Sequence, residues 1–443
     1  MTCEPSSEKE GSLLTLSVLA LVVGAAAGLV GALFRLALVQ ADHLRNVLID
    51  WAHGHAAVGF IALVVICAVA TGIAAWLVRR FAPQASGSGI PHVEMVLRGQ
   101  APPAPYGLAP VKFAGGVLAI GSGLALGREG PSVQMGASIA VFIGRAVGCS
   151  WPDWRVLLAA GAGAGLATAF NSPIAGAIFV LEELVQRFER RIAIAALAAS
   201  ATAISVARVF LGDAPDFQVG MIAYPADEAH PLFYLFGAIV GLLAVAYNRS
   251  LSATLAVAER LPLLPVEMRA SLIGGAVGAL GWLVPSLVGG GDDITARTLL
   301  GGESFVFVMV AFLIRFWLGA ISYAAATPGG LFAPLLVLGA QSGLLFGMAC
   351  NALFPGLGIQ PIGFAVVGMA AFFTGVVRAP LTGIVLITEM TGNVTMLLPM
   401  LGACFMAMLV PTLLRDAPIY DALRELTLQS EAKLQEAKKA GSP

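Results

Sequence analysis

Apolar stretches long enough to cross a bilayer recur from one end of this chain to the other, most plainly at 12–39, 57–78, 232–247, 271–288, 305–325 and 397–414. A crossing helix takes roughly 20 apolar residues, and within the hydrocarbon every backbone N–H and C=O must find its partner inside the protein. The expected fold is therefore an all-α polytopic membrane protein. Composition agrees, since 58% of the 443 residues are hydrophobic and only 12% charged, far outside the usage of a soluble domain. The opening residues MTCEPSSEKE are polar and acidic, unlike the basic start of a cleaved signal peptide. The first span is expected to be retained.

Many of the 52 glycines and 25 prolines lie inside this apolar territory rather than between spans. Small residues let helices pack closely, but they also break them, and broken backbone at membrane depth is tolerated only in a protein interior or beside a wet cavity. A transport path is one such cavity. The chain also repeats itself. GREGPSVQMGAS (127–138) aligns with GLFAPLLVLGAQ (330–341), pairing Pro131 with Pro334 and Gly136 with Gly339, 203 positions apart. GLATAFNSPIAGAIFVLEE (165–183) aligns with FTGVVRAPLTGIVLITEM (373–390), pairing Pro173 with Pro380, Gly176 with Gly383 and Glu182 with Glu389, 207 apart. Two blocks in one order at nearly one offset argue for duplicated halves, which mark secondary transporters whose substrate sites form at the repeat interface. Loop charges alone leave open whether the halves are parallel or inverted. The expected organisation is a polar N-terminal tail (1–11), a membrane domain (12–415) with halves at about 12–210 and 232–415, and a charged, helix-prone, solvent-facing stretch from 416 to 443.

Several function classes drop out. A net charge of −1 with charges gathered in loops and at the ends leaves no footprint for nucleic acid. Cys3, Cys67, Cys149, Cys350 and Cys404 are odd in number, far apart and mostly in apolar runs, so neither a disulfide framework nor a metal site is expected. His43, His53, His55, His92 and His230 include no HExxH, no GxSG motif occurs, and no span holds an aspartate dyad, which argues against an intramembrane enzyme.

Four segments place glycine, small residues and proline at the start of a helix: GSGIP (87–91), GREGP (127–131), GGLFAP (329–334) and, more loosely, DAPIY (416–420). Proline suits a first helical turn and glycine admits close approach of a ligand to the backbone. Helix N-termini carry unsatisfied N–H groups and about half a positive charge, so several aimed at one place bind an anion without a full cation. Partial charges also let the anion leave.

GSGIP, GREGP and GGLFAP in that order, with a tyrosine near the C-terminus, resemble the CLC family of chloride channels and proton/chloride exchangers over about residues 12–425. The resemblance implies a fold of many tilted and broken helices in two inverted halves, a homodimer with one pathway per subunit, chloride and protons as substrates, and no cofactor. It implies that the hydroxyls of Ser88 and Tyr420 and the backbone around Gly330, Leu331 and Phe332 hold a central chloride. Backbone N–H groups near Arg128, Glu129 and Gly130 would face a more external one. Glu129 falls at the family's gating glutamate, a carboxylate that occupies an anion site when ionised and leaves when protonated. Glu183 falls where exchangers carry an internal proton-transfer glutamate and channels usually an apolar residue. Glu182 stands beside it, though its repeat mate Glu389 suggests a structural role in both halves, and Gln186, Arg187 and Glu189 put unfamiliar polarity just beyond the pair. Serine at 88, rather than the proline of nitrate-preferring members, implies chloride. The absence of a large regulatory tail looks prokaryotic and points to a bacterial plasma membrane. The implied activity is exchange of chloride for protons; the alternative is a passive voltage- or pH-gated chloride channel on the same fold, and Glu183 discriminates the two. Leu181 and Leu397 are candidate dimer contacts.

Overall fold

In a computed structural model, residues 11–260 and 264–439 are described, so Cys3 and nearly all of the expected N-terminal tail lie outside the described residues. The chain forms helices throughout, and the only β features among the described residues are two isolated bridges. The first eight helices are α1 (Leu13–His53), α2 (Ala56–Phe81), α3 (Ile90–Leu97), α4 (Leu108–Gly121), α5 (Glu129–Val147), α6 (Trp151–Phe170), α7 (Pro173–Phe179) and α8 (Arg190–Leu211). The next eight are α9 (His230–Glu259), α10 (Val266–Leu283), α11 (Asp292–Leu300), α12 (Phe305–Tyr323), α13 (Phe332–Leu353), α14 (Pro361–Val377), α15 (Pro380–Thr391) and α16 (Leu397–Leu413). A last helix, α17 (Ile419–Lys439), closes the chain. By length and composition, α1, α2, α8, α9, α12 and α13 can each cross a membrane.

Packing repeats between the two sets of eight. Helix α5 packs on α6 as α13 does on α14, α1 on α8 as α9 on α16, and α6 on α7 as α14 on α15. Two contacts are their own mates, α2 with α10 and α7 with α15, as a two-fold axis between the halves requires. Its direction follows from α2 and α10. His53, just before α2, bonds Trp282 O at the far end of α10 at 2.9 Å, whereas Arg79 at the end of α2 pairs with Glu267 at the start of α10 at 2.6 Å. The two helices are antiparallel. Since α2 is long enough to cross the bilayer, a rotation that reverses it has its axis in the membrane plane, and the repeat is inverted.

Glycines at helix crossings explain part of their abundance. Gly24 and Gly28 on α1 lie against the backbone of Ala199 and Ala203 on α8, and Gly237 on α9 lies against Ala403 on α16; a Cβ at any of them would overlap the facing carbonyl. Gly136 and Gly161 touch across α5 and α6, and Gly339 and Gly368 across α13 and α14. Without a hydrophobic drive between helices in lipid, such close packing is the main attraction available.

Three stretches differ from the sequence expectation. The run from 12 to 39 belongs to a 41-residue helix that continues through a more polar turn to His53. The expected span 271–288 divides into the α-helix Val266–Leu283 and a 3-10 turn Pro285–Leu287, after which three consecutive glycines turn the chain into a loop. The segment after Asp416 is not wholly solvent-facing: Ile419, Tyr420 and Leu423 of α17 are buried, and Arg424 reaches the buried Glu94 on α3 at 2.9 Å.

Candidate anion and proton site

The loops before α3, α5 and α13 are laced together by backbone hydrogen bonds. Gly127 N donates to Gly330 O at 2.8 Å and Gly330 N to Gly127 O at 2.7 Å; Gly87 N donates to Thr327 O and Gly329 N to Gly87 O, each at 3.1 Å. This lacing gathers three helix starts at one point in the protein interior. The fourth, α17, arrives through Tyr420, whose ring lies 5.9 Å from that of Phe332, itself enclosed by Phe170, Phe179 and Phe373.

Glu129 is wholly buried in the first turn of α5, and its Oε1 accepts a hydrogen bond from the backbone N–H of Phe332 at 2.6 Å. The carboxylate thus occupies a donor at the start of α13 that the sequence assigned to an anion. Gly127 and Gly330 make room for it, since a Cβ on either would collide with the carboxylate oxygens. Among the described residues, the other oxygen, Oε2, accepts no hydrogen bond, and the buried hydroxyls of Ser88 and Tyr420 have no partner in hydrogen-bond geometry. Ser88 does not cap α3, whose N-cap is Gly89 at φ +84. Gly130 brings α5 against it, as a Cβ there would lie 2.6 Å from Ser88 Oγ. Leu331 is buried at the N-cap of α13. Buried hydroxyls cost free energy unless bonded, so two of them beside a helix-start N–H suit a ligand that accepts hydrogen bonds. A small anion is one.

The side chain of Arg128 turns away from Glu129. Its guanidinium donates to Ala169 O at 2.8 Å, Asp292 at 2.6 Å and Asp216 at 3.2 Å, and Asp216 is also held by Arg35 at 2.8 Å. Arg35, Arg128, Asp216 and Asp292 line a cavity of about 910 Å³ that reaches Gly127 from one face. A second cavity, about 410 Å³ and lined by Gly87, Gly89, His92 and Tyr323 among others, approaches from the other. The Glu129, Ser88 and Tyr420 group stands between the two.

Two buried cations support the loops, and sequence reading passed over both. Lys112 on α4 donates from Nζ to Gly87 O at 2.7 Å and Ala85 O at 3.0 Å. Its mate 203 positions on, Arg315 on α12, donates to Gly289 O at 2.8 Å, Leu287 O at 3.2 Å and Gly290 O at 3.3 Å. No carboxylate among the described residues pairs with Lys112, so its charge adds a positive potential next to Ser88. A lone cation in an apolar run is the signal that could have found each.

Glu183 is 5% exposed in a single π-helical turn, Val180–Leu184, that follows α7; such turns occur often at functional sites. It lies in the electrostatic range of Glu94, Asp421, Glu182 and Arg98 and is not among the residues lining either cavity. Tyr420 stands in range of both Glu129 and Glu183. Of the flanking residues, Gln186 accepts from Arg98 at 3.1 Å, Glu189 lies 3.7 Å from Arg155, and Arg187 is exposed.

Glu182 is engaged differently from its neighbour. Its carboxylate accepts from Thr382 N at 2.6 Å, Thr382 Oγ1 at 2.7 Å and Leu381 N at 3.0 Å, at the start of α15. Glu389 reciprocates at the start of α7, accepting from Ala175 N at 2.9 Å and Ile174 N at 3.1 Å. Each half thus caps a helix of the other.

Inverted halves, broken helices and a polar core reached from both faces define a membrane transport protein. The chain belongs to the family described as voltage gated chloride channel, whose sequence model matches residues 70–412. It is 38% identical over 441 residues to the H(+)/Cl(-) exchange transporter ClcA of Vibrio cholerae serotype O1, covering 97% of this chain and 92% of the relative. Against the protein of that name from Salmonella arizonae the identity is 34%, covering 98% and 93%. Among solved structures, a slow cyanobacterial Cl-/H+ antiporter superposes with a TM-score of 0.90 at 32% identity, covering 95% of this chain and 99% of that one. A CLC-type fluoride/proton antiporter matches in fold alone, with a TM-score of 0.76 at 22% identity, covering 90% of this chain and 97% of that one.

Proposed function

We propose that this protein exchanges chloride for protons across a bacterial plasma membrane, with Glu129 as gate and Glu183 as internal proton-transfer group. The observation that carries the reading is the hydrogen bond from Phe332 N to Glu129 Oε1, flanked by the hydroxyls of Ser88 and Tyr420, which have no partner among the described residues. While ionised, the carboxylate holds a donor that chloride needs. On protonation it loses the charge that anchors it at two helix N-termini, swings out with its proton, and chloride takes the N–H. Chloride uses the two cavities; the proton parts from that route and passes between Glu129 and Glu183. A buried carboxylate outside both cavities favours exchange over passive conduction, for which it would serve no purpose.

Chloride and protons are the substrates of this scheme, which uses no enzyme chemistry and no cofactor. The face bearing Glu183 also carries Arg79, Arg80, Arg98, Arg155, Arg187 and Arg190 at helix ends, whereas Arg208 lies at the opposite end of α8. By the excess of basic residues in cytoplasmic loops, that face is cytoplasmic. Exposed Ile174, Leu381, Leu397, Leu398, Leu401 and Phe405, together with half-buried Leu181, offer an apolar surface for a homodimer within lipid. The test is simultaneous recording of chloride and proton flux in proteoliposomes. A chloride gradient should drive protons uphill; chloride flux with no proton movement would leave the passive channel instead.

A further inference from the structure

We propose that Tyr323, the last residue of α12, is a further contact residue for the transported anion, donating its hydroxyl hydrogen at the floor of the 410 Å³ cavity. The inference rests on the exchange reading above and adds a residue to its path. Tyr323 is 8% exposed, and its oxygen accepts the backbone N–H of Ser88 at 3.2 Å. That bond uses a lone pair and leaves the O–H to be satisfied. No acceptor among the described residues takes it, although Tyr323 lines the cavity beside Gly87 and Gly89. The phenol therefore converts the Ser88 N–H, which it has consumed, into a donor facing the cavity.

The surroundings favour an anion there. Among the described residues, the ionisable side chains lining this cavity are His92, Arg269 and Tyr323 itself, without a carboxylate, whereas the opposite cavity sets five aspartates against four arginines. Lys112 adds its charge through the Gly87 carbonyl. Gly87 itself is fitted to the contact: at φ +61, a Cβ would lie 2.7 Å from the Tyr323 hydroxyl. An anion moving from the cavity toward Ser88 and Tyr420 meets this hydroxyl first.

The test uses the full-length protein and Tyr323→Phe, with bromide as an anomalous probe in crystals and chloride in calorimetry. Wild type should show a bromide peak within hydrogen-bond distance of the Tyr323 oxygen. The variant should lose that peak, keep the one between Ser88 and Tyr420, and bind chloride about two- to tenfold more weakly, as expected for one neutral hydrogen bond. Absence of the peak in saturated wild type would overturn the inference. So would a variant that loses both peaks together with thermal stability, which would make the phenol a brace for the Ser88 loop. Neither result depends on proton coupling, so failure of exchange in vesicles would be recognised separately.

Discussion

The reciprocal caps of Glu182 and Glu389 allow a test with its own control. Replacing Glu182 with Gln keeps one acceptor oxygen, but turns the other into an NH₂ that must face a backbone N–H or the Thr382 hydroxyl. At least one of three charge-assisted bonds goes, and the rest become neutral. Hydrogen bonds to a charged group contribute about 1.5–3 kcal/mol, and a carboxylate at a helix start about 0.3–1 kcal/mol more. Leu381 belongs to the apolar surface turned to lipid or the partner subunit, where no water replaces the lost partner, so Glu182→Gln should cost about 2–3 kcal/mol. Glu389→Gln loses one of two such bonds, with Ile174 on the same apolar surface, and should cost about the same. Thermal unfolding in detergent should fall by a few degrees in both, and the proton-to-chloride ratio of folded protein in vesicles should be unchanged in both. A coupling ratio that falls in Glu182→Gln but not in Glu389→Gln would refute a purely capping role and make Glu182 a proton carrier.

Four further outcomes are expected. Glu129→Gln removes the charge that holds the gate to Phe332 N, so chloride flux should persist in vesicles while proton movement under a chloride gradient disappears. Glu183→Gln should likewise retain chloride flux and abolish the proton arm, with no change in chloride affinity by calorimetry. Tyr420→Phe removes one hydroxyl donor, about 0.5–1.5 kcal/mol, and should weaken chloride binding up to roughly tenfold in the same measurement without loss of fold. Lys112→Met strands the Ala85 and Gly87 carbonyls and deletes a buried positive charge, so chloride affinity should drop and stability fall by about 1–3 kcal/mol, read by calorimetry and thermal unfolding.

Residues that act through their own local segment were legible in the sequence. GSGIP, GREGP and GGLFAP bring helix starts and glycine turns within five or six residues, so Ser88, Glu129 and Phe332 could be singled out before any packing was known. The supporting groups were not, because their partners are remote. Arg128 meets Asp216 and Asp292, 88 and 164 positions away, and Arg424 meets Glu94, 330 positions away. Lys112 and Arg315 stand out as lone cations in apolar runs, but their partners, like that of Tyr323, are backbone atoms, which carry no sequence signature. The inverted sense of the repeat was hidden for a related reason: it is fixed by contacts between α2 and α10, whose pairing no local pattern announces.

The repeat itself separates scaffold from chemistry. Groups that hold the fold appear twice: Lys112 and Arg315 each clamp the carbonyls of a loop, Glu182 and Glu389 each cap a helix, and Gly127 and Gly330 exchange hydrogen bonds across the axis. Groups assigned to transport appear once. Glu129 corresponds to Phe332, 203 positions on, so the first half contributes a carboxylate where the second contributes the N–H that receives it. Glu183 corresponds to Met390, 207 positions on, and Ser88 to a glycine in the run before α11. A symmetric pair of carboxylates at the Glu129 position would repel each other across the axis and leave no donor for an anion; a symmetric pair of phenylalanines would leave no gate. Directional coupling of two unlike ions therefore requires that duplicated helices carry unlike side chains where the halves meet, and the clasp of Glu182 and Glu389 keeps the shared geometry fixed while they differ.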